Sequence, residues 1–408
     1  MKCRHCYAQV TLPLIDLGSA PPSNAYLTLE NINAPEKCFP LRVLVCEQCW
    51  LAQTEDFSDA AELFNNDYAY FSGFSSSWLT HCKNYVDEMI VRFNLNGCHH
   101  VIEVAANDGY LLQYVKAKNI PCVGIEPTAS TAKAAREKGI PIIEEFFGVA
   151  LAKKLIAQNK KADLMIANNV LAHVPDINDF VSGFTLLLNE NGVATFEFPH
   201  LLKLIEENQF DTIYHEHFSY LSFTAVNKIF LDNGIKIFDV EELDTHGGSL
   251  RIFAQRIDTG IQPCSSRAKL LLQKEKNHRV LTRNYYLKFQ KRVDKIKNDF
   301  LSFLLNAKKE GRLVAGYGAA AKGNTLINYA SIRSDLISFV VDRNPAKQGK
   351  MLPGSHIPIC DEAALKKLKP DYIVIFPWNL KTEIMQQLLY ISEWGARFVT
   401  AVPELKVL

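Results

Sequence analysis

The sequence predicts an α/β chain in which two doubly wound parallel sheets follow a small cysteine-rich head. Three observations lead to this prediction. Two pairs of cysteines stand in the first 50 residues, strands and helices alternate from residue 101, and a second alternation starts at a glycine-rich turn near residue 316. With 408 residues, 48% of them hydrophobic, the chain is long enough to bury two or three separate cores.

The charge balance and the apolar runs exclude several classes of protein. The 45 Lys and Arg residues nearly cancel the 44 Asp and Glu residues, so we expect no polyanion-binding surface and no nucleic-acid partner. No apolar run approaches the roughly 18 residues of a membrane span, and the N-terminus lacks the apolar core of a signal peptide. We therefore expect a soluble cytoplasmic protein with no membrane partner, whose ten cysteines are metal ligands or buried thiols rather than disulfides.

The head carries two C-x-x-C pairs, Cys3 with Cys6 and Cys46 with Cys49. Each pair can supply two thiolates to a tetrahedral zinc ion, and four thiolates leave no open position for catalysis. We therefore expect a structural zinc, which substitutes for the core that so short a module cannot build. His5, inside the first pair, is a weaker ligand candidate.

The strand that begins at residue 101 ends in the predicted cofactor site. Glu103, Ala105 and Gly109, with Asn107 between them, stand in an E-x-[GA]-x-x-x-G arrangement. This arrangement resembles the S-adenosylmethionine loop of class I methyltransferases, whereas the dinucleotide pattern G-x-G-x-x-G is absent. Small residues in such a turn let backbone N–H groups and a helix N-terminus approach a ligand closely.

Later strand ends add further cofactor candidates. The second strand ends at Glu126, followed by Pro127, where a carboxylate can take both hydroxyls of a ribose. The fourth strand leads into Asn168 and then His173, at the edge of the sheet where ligands bind. The alternative interpretation is that acids follow strands by chance in any α/β domain, and that His173 caps a helix or is a buried structural residue.

The remaining elements of this region follow the same alternation. After the first strand, strands are predicted at 121–126, 140–143, 163–167 and 192–198, with helices between them. Strands at 235–240 and 249–254 form a predicted antiparallel hairpin that extends the sheet around Gly247 and Gly248. Residues 265–309 predict one long helix, or two with a break, that leads into the second α/β unit.

An aromatic segment before the first of these strands predicts a loop that lines the site. Tyr68 and Tyr70 stand beside Gly73 and a run of serines. Packing of the rings in a core is the alternative, and it is the safer interpretation for either tyrosine taken alone.

The densest chemical cluster is the polar segment 211–220. Tyr214, His215, Glu216 and His217 place a phenol, two imidazoles and a carboxylate in four consecutive positions. Because alternate side chains of an extended segment share a face, we expect the two histidines to point the same way. Acid–base chemistry is the favoured interpretation over a second zinc site, since no further ligand stands at a suitable spacing.

The second α/β unit begins with a glycine turn at 313–318. Lys322 then stands at the start of a helix, which suits a phosphate cradle, although the Walker pattern is absent and ATP is not implied. Strands are predicted at 336–342, 371–376 and 397–402, with helices near 361–369 and 380–394.

Taken together, these motifs resemble the sugar C-methyltransferase family. In chain order they are the paired knuckles, VIEVAANDGYLL, NNVLAHVPD, DTIYHEHFSYLS, THGGSLR, GYGAAAKGNTLINY, VDRNPAKQGKMLPG and FPWN. The resemblance implies a zinc-binding module at 1–75, a class I S-adenosylmethionine-dependent methyltransferase domain at 76–264, and a long helix plus a C-terminal Rossmann-like domain at 265–408. It also implies methylation of carbon 3 of a 4-keto deoxy sugar carried on a nucleoside diphosphate, typically dTDP. Ala105, where some class I enzymes have glycine, is a mild departure.

The resemblance also assigns roles to residues. It places the catalytic base on His217, and we assign Glu216 to orientation and Tyr214 to the ketone oxygen or the base, with Tyr68 or Tyr70 completing the site. The expected cofactor residues are Glu103, Ala105, Asn107, Gly109, Glu126, Pro127, Asn168 and His173. The expected substrate residues are His173, Lys322, Asn324, Arg343, Trp378 and Asn379.

Two other functions fit some of these features. Zinc knuckles beside a methyltransferase domain also suit an enzyme that modifies RNA or protein, and a two-domain zinc protein can be a nucleotide-binding scaffold without turnover. The near-zero net charge and the phosphate-type turn of the second α/β domain argue against the nucleic-acid interpretation. The oligomeric state is left open, with a monomer among the options.

Overall fold

The computed structural model describes residues 1–55, 57 and 71–408, and it contains three β-sheets. A small head, a central α/β sheet and a second α/β sheet follow one another, which confirms the predicted fold class. Across the described residues, no helix is both long and apolar enough to cross a lipid bilayer. The predicted site loop with Tyr68 and Tyr70 lies outside the described residues.

The head is an antiparallel sheet whose last strand comes from far along the chain. Its strands in spatial order are β1 Leu12–Ala20, β2 Phe39–Val45, β3 Ala52–Thr54 and β9 Ser219–Tyr220. Because β9 pairs with β3, the polar segment that precedes β9 is fixed against the head. Sequence analysis missed this pairing, which depends on a contact between residues far apart in the chain.

The central sheet has seven strands in the order β10-β11-β8-β7-β4-β5-β6. Their bounds are β4 Val101–Val104, β5 Cys122–Ile125, β6 Ile142–Ile143, β7 Ala162–Asn168, β8 Leu188–Pro199, β10 Ile235–Leu243 and β11 Ser249–Arg256. Strands β4 to β8 are parallel, and the β10–β11 hairpin extends the sheet in antiparallel fashion, as predicted. The strand order reverses between β4 and β7, which is the point where ligands bind in such sheets.

Seven helices belong to this region. They are α1 Ser76–Phe93, α2 Leu112–Ala117, α3 Ala129–Glu137, α4 Val149–Ala157, α5 Ile177–Leu187, α6 Leu201–Glu206 and α7 Phe223–Asp232. Helix α1 shows why the sequence folds this way locally. The Ser75 side chain caps its first turn, left-handed Asn94 ends it, and the buried residues Cys82, Val86 and Met89 recur at helical spacing.

Residues 265–309 form three helices, where one or two were predicted. They are α8 Ser266–Asn277, α9 Arg283–Leu287 and α10 Phe289–Lys309. Phe289, Val293 and Phe300 on α10 are fully buried and belong to one core that also contains residues of β1 and of the third sheet. Helix α10 therefore joins the head to the C-terminal unit through a shared apolar core.

The third sheet has the order β14-β13-β12-β15-β16-β17, parallel except for the last strand. Its strands are β12 Val314–Tyr317, β13 Val340–Val341, β14 Ile359–Cys360, β15 Tyr372–Ile375, β16 Arg397–Thr400 and β17 Lys406–Val407. Its helices are α11 Ala321–Tyr329, α12 Ala363–Leu368 and α13 Lys381–Gln387. The predicted second α/β unit is therefore present, although β13 is shorter than the strand predicted there.

A buried carboxylate connects α8 to the central domain. Glu275 is fully buried and accepts hydrogen bonds from the backbone N–H groups of Phe223 and Thr224, both at 2.7 Å, and from His200 Nε2 at 2.7 Å. Burial acts to raise the pKa of Glu275, but the bonds from His200 and Thr224 hold it below its usual value. The ionised carboxylate therefore stabilises the N-terminus of α7 from a different element.

Candidate active site

The turn after β4 has a backbone shape that few residues tolerate. Ala105 (φ 59°), Asn107 (φ 49°) and Gly109 (φ 73°) are all in the left-handed region. A Cβ on Gly109 would lie 2.4 Å from Ile140 Cδ1, so this position requires glycine for space as well as for conformation. For Ala105, which is not glycine, the left-handed conformation costs about 1–2 kcal/mol.

Two acids, Glu103 within β4 and Glu126 directly after β5, lie in different surroundings. Glu126 is buried and accepts hydrogen bonds from Asn107 N (2.9 Å) and Thr128 N (3.0 Å). Burial raises its pKa. Glu103 is fully buried, neither of its carboxylate oxygens has a partner of ordinary hydrogen-bond geometry among the described residues, and burial raises its pKa well above the usual range. The Glu126 carboxylate can release the N–H of Asn107 and accept a ribose hydroxyl in its place. Pro127 lies beside it at the same edge of the sheet.

Polar atoms without protein partners gather at the end of β7. Neither the amide nitrogen nor the amide oxygen of buried Asn168 has a partner within the described part of the chain, and the same holds for the Asn169 side-chain oxygen. Buried polar atoms of this kind are normally satisfied, by water or by a ligand. Their position at the reversal of strand order, beside the left-handed turn, fits the adenosyl cofactor that the sequence predicts.

Residues that follow the undescribed segment contact the cofactor turn directly. Ser72 N donates to Asn107 Oδ1 at 2.9 Å, and a Cβ on Gly73 would lie 2.3 Å from Asp108 Oδ2. The chain on the C-terminal side of Tyr70 therefore covers the turn. Whether Tyr68 or Tyr70 lines the site stays a prediction.

One ring nitrogen of His217 donates a hydrogen bond to the backbone, and the other can accept a proton. Its Nδ1 lies 2.9 Å from the Thr212 carbonyl oxygen, which can only accept, so Nδ1 carries the proton and Nε2 keeps its lone pair. Burial, and next the neighbouring His173, hold the pKa of His217 well below its usual range. The imidazole is therefore neutral near pH 7, which a proton acceptor requires.

His173 and Tyr214 contact the His217 ring. The His173 ring lies 4.6 Å from it, edge to face, and the Tyr214 ring lies 4.0 Å away at a 33° tilt. His173 Nδ1 donates to the Glu216 carbonyl oxygen at 2.8 Å, and burial lowers its pKa to about 4. His173 therefore supports the backbone of segment 211–220 at Glu216, in line with the alternative of a buried structural residue, and its ring contacts that of His217.

The expectation that His215 and His217 point the same way is wrong. Residues 214–217 form a turn, closed by the bond from His217 N to Tyr214 O (3.0 Å), so the alternation of an extended segment does not apply. His215 Nε2 instead lies 3.2 Å from the Phe39 carbonyl oxygen, against the head. Glu216 accepts a bond from Asn24 Nδ2 at 2.6 Å, again from the head.

Several predicted substrate residues of the C-terminal unit meet near this segment. Lys322 Nζ donates to Asn379 Oδ1 (2.9 Å) and lies 4.5 Å from the centre of the Trp378 ring. Trp378 Nε1 in turn donates to Asp211 Oδ2 at 2.7 Å. Burial raises the pKa of Asp211 to about 6 and lowers that of Lys322. Lys322, Trp378 and Asn379 therefore form one cluster beside segment 211–220.

Two other predicted substrate residues lie apart from this cluster. The Asn324 side chain is buried and donates to the Ser23 carbonyl oxygen at 2.6 Å, which gives it a role at the contact with the head. Arg343 is exposed and donates to Gln387 Oε1 at 3.2 Å.

Sequence analysis missed a second polar cluster beside the site. Fully buried Glu197 on β8 is bonded to His81 (2.9 Å), Thr245 (3.0 Å) and Arg251 (3.2 Å). The Trp78 ring stacks on His81 at 4.9 Å. The sequence features that could have predicted this cluster are the acid within the apolar strand VATFEF and the polar residues of THGGSLR.

The four cysteines of the head converge as predicted. Their sulfur atoms all lie within 4.8 Å of one another, and the closest pairs, Cys3 with Cys49 and Cys6 with Cys46, are 3.5 Å apart. A tetrahedral zinc with Zn–S bonds of about 2.3 Å requires sulfur atoms roughly 3.8 Å apart, so the donor set fits this metal.

His5 is not a ligand in this arrangement. Its Nδ1 lies 2.8 Å from Asn178 Oδ1 and its Nε2 lies 3.0 Å from Asp232 Oδ2, both in the central domain. The ring therefore connects the knuckle to helices α5 and α7 and is turned away from the sulfur cluster.

Comparison with known proteins covers all three parts of the chain. Family models described as a zinc binding domain, a methyltransferase domain and a C-methyltransferase C-terminal domain match residues 3–64, 81–240 and 244–403. The C-methyltransferase NovU of Streptomyces niveus is 31% identical over 409 residues, which cover 100% of this chain and 96% of NovU. The chain belongs to the C-methyltransferase family.

Membership of the C-methyltransferase family confirms several predictions. The protein is an S-adenosylmethionine-dependent methyltransferase with a four-cysteine zinc-binding domain. Solved structures that resemble the central part include PH0226 of Pyrococcus horikoshii (15% identity, TM-score 0.39, 49% of this chain and 100% of that one). Magnesium protoporphyrin IX methyltransferase of Synechocystis with bound SAM is another (18% identity, TM-score 0.34, 44% and 79%).

We expect one zinc ion per chain, held by Cys3, Cys6, Cys46 and Cys49. Cys46→Ser should lose the metal and lower the unfolding temperature, because metal binding supplies folding free energy to so small a module. Metal analysis and thermal melting measure both effects. Cys98→Ser is the matched control, since Cys98 is exposed and outside the cluster. A Cys46→Ser protein that stays metal-loaded and equally stable would refute the assignment.

We expect Glu126→Ala to weaken S-adenosylmethionine binding by about 10- to 100-fold, the range for losing hydrogen bonds to a charged group. The effect on thermal stability should be smaller, because the carboxylate lies at the ligand edge of the sheet. Glu126→Gln keeps the size and one acceptor and should bind with intermediate affinity. Isothermal titration calorimetry gives the affinities, and an unchanged value for Glu126→Ala would remove this assignment.

Proposed function

We propose that the protein methylates carbon 3 of a 4-keto deoxy sugar carried on a nucleoside diphosphate, with dTDP the expected nucleotide. The observation that carries this proposal is the state of His217. It is neutral, its Nδ1–H is held by the Thr212 carbonyl, and its ring contacts that of His173, which follows β7.

The chemistry follows from these positions. A carbon beside a ketone is acidic enough for a positioned imidazole to remove its proton, which leaves an enolate. S-Adenosylmethionine, when bound, supplies an electrophilic methyl group. The His217 Nε2 lone pair accepts the proton, Tyr214 lies against the base, and His173 holds the backbone of the segment at Glu216.

The C-terminal unit supplies the features expected of a nucleotide-sugar site. Lys322 is near the start of α11, beside Trp378 and Asn379, where an ammonium group and a helix N-terminus both favour a diphosphate. We keep Asn324 and Arg343 as proposed substrate residues with less direct support. We also propose the division into a head at 1–75, a methyltransferase domain at 76–264 and a C-terminal part at 265–408. A cytoplasmic location stays a prediction.

The experiment that tests this function is mass spectrometry of the enzyme with S-adenosylmethionine and a panel of dTDP-4-keto deoxy sugars. We expect a mass gain of one methyl group on at least one sugar, and product NMR should place it on carbon 3. RNA and protein substrates run in parallel test the alternatives. Methylation of RNA or protein with no transfer to any sugar would overturn the proposal.

We expect His217→Asn to reduce turnover by about 10² to 10⁴-fold, the usual cost of losing a general base, with cofactor and dTDP affinity near normal. Exchange of the carbon 3 proton in deuterated water should fall in parallel, because exchange needs only the base.

His215→Asn is the matched control, since its ring contacts the Phe39 carbonyl instead of the His217 site. It should keep exchange. Loss of exchange in His215→Asn but not in His217→Asn would show that the base is misassigned by two residues. Retention in both would move the search to Tyr68, Tyr70 and Tyr214.

A further inference from the structure

The turn between β10 and β11 holds a histidine in an unusual backbone conformation. His246 is left-handed (φ 55°), and Gly247 (φ 89°) and Gly248 (φ 115°) follow it. A Cβ on Gly247 would lie 2.5 Å from Trp378 Cη2, and one on Gly248 would lie 2.8 Å from Lys203 Cγ. The turn is therefore packed between the C-terminal unit and α6, and this packing fixes the direction of the His246 side chain.

One ring nitrogen of His246 is already used. The Asn169 side-chain nitrogen donates to His246 Nε2 at 3.2 Å, so Nε2 is the acceptor and the proton of the neutral ring is on Nδ1. Within the part of the chain that the structure describes, Nδ1–H has no hydrogen-bond partner. Burial lowers the pKa of His246 to about 4, so the ring is a neutral donor at cytoplasmic pH.

The surroundings of His246 are those of the proposed reaction site. Its ring lies 5.4 Å from that of Trp78, and its partner Asn169 follows the last residue of β7 at the cofactor edge. His246 interacts electrostatically with Lys322. His246 and Lys322 also both help to lower the pKa of the proposed base His217. His246 thus stands between the cofactor edge, the base and the nucleotide-sugar cluster.

We propose that His246 contacts the substrate and that its Nδ1–H donates a hydrogen bond to the oxygen of the reacting carbonyl. This inference rests on the proposed function. When His217 Nε2 takes the proton from the carbon, the C–H electron pair forms a C=C bond and the carbonyl π pair moves onto oxygen. The Nδ1–H stabilises that oxyanion. The enolate carbon then forms the new C–C bond with the methyl group, whose bonding pair leaves with sulfur.

A neutral imidazole in a fixed orientation suits this task. A preorganised donor that points at developing negative charge needs no reorganisation as the reaction proceeds. The Tyr214 hydroxyl, which we assigned to the ketone oxygen or the base, can act as a second donor, since such sites commonly use two. If His246 were purely structural, its role would be limited to the bond with Asn169 and to the conformation of the turn.

Two variants separate these roles because both tolerate the left-handed backbone. His246→Gly removes the side chain without strain, whereas His246→Asn keeps a side-chain N–H close to the position of Nδ1. We expect His246→Gly to lose about 10² to 10³-fold in kcat, the usual cost of one oxyanion donor, and His246→Asn to recover much of that loss. Calorimetric affinity for S-adenosylmethionine and thermal melting should be near wild type in both.

The readouts are kcat and KM for methyl transfer and the rate of exchange of the carbon 3 proton in deuterated water. Exchange should fall with kcat in His246→Gly, because the donor stabilises the enolate before any methyl is transferred. Wild-type kcat in His246→Gly, or equal loss in His246→Gly and His246→Asn, would overturn the inference while the proposed function stands. A wild-type enzyme that methylates none of the sugars would overturn the proposed function, and this inference with it.

Discussion

The fold depends most on one requirement, which is that the buried irregular segment 211–220 must have its backbone polar groups satisfied. Nearly all of these residues are buried, and only Ser219 and Tyr220 belong to a strand. A buried carbonyl or N–H without a partner costs about 1–3 kcal/mol, so such a segment cannot persist unless neighbouring elements supply partners. All three units do so. Thr54 of the head donates to His217 O, His173 of the central domain donates to Glu216 O, and Thr325 of the C-terminal unit donates to Ile213 O.

Burial on all sides also sets the electrostatics of the site. His173, His217 and His246 all have lowered pKa values, because each loses the hydration that would stabilise the imidazolium ion. All three imidazoles are neutral, and hydrogen bonds to oxygen fix the tautomers of His173 and His217. Each such ring presents one lone pair or one N–H in a defined direction. Hydrogen bonds are stronger in such surroundings than in water, so the same desolvation that removes charge makes the remaining donors and acceptors more effective.

Local patterns predicted the parts of the molecule that depend on local structure. The cysteine knuckles, the turn after β4, and Glu126 directly after β5 follow from residues close together in sequence, and the structure places them as expected. Predictions failed where distant contacts decide. The side chain of His5 is turned to Asp232, and the orientations of His215 and His217 differ because a turn replaces the expected extended segment. Neither the orientation of His5 nor the turn at 214–217 corresponds to a periodic pattern in the sequence. The roles of Tyr68 and Tyr70 stay predictions.

The head, which carries the zinc-binding cysteines, also fixes the chain next to His217. Gln53 Nε2 donates to Cys3 Sγ at 3.4 Å, and Gln53 is also the strand partner of Ser219. Arg4, inside the first knuckle, donates to the Phe218 carbonyl oxygen at 3.3 Å. Residues next to the sulfur cluster thus fix the two residues that follow His217. Because Arg4 and Gln53 lie next to the sulfur cluster, the geometry of the cluster and the position of the chain after His217 depend on each other. The head therefore holds one side of segment 211–220, whose other sides are held by the central domain and the C-terminal unit.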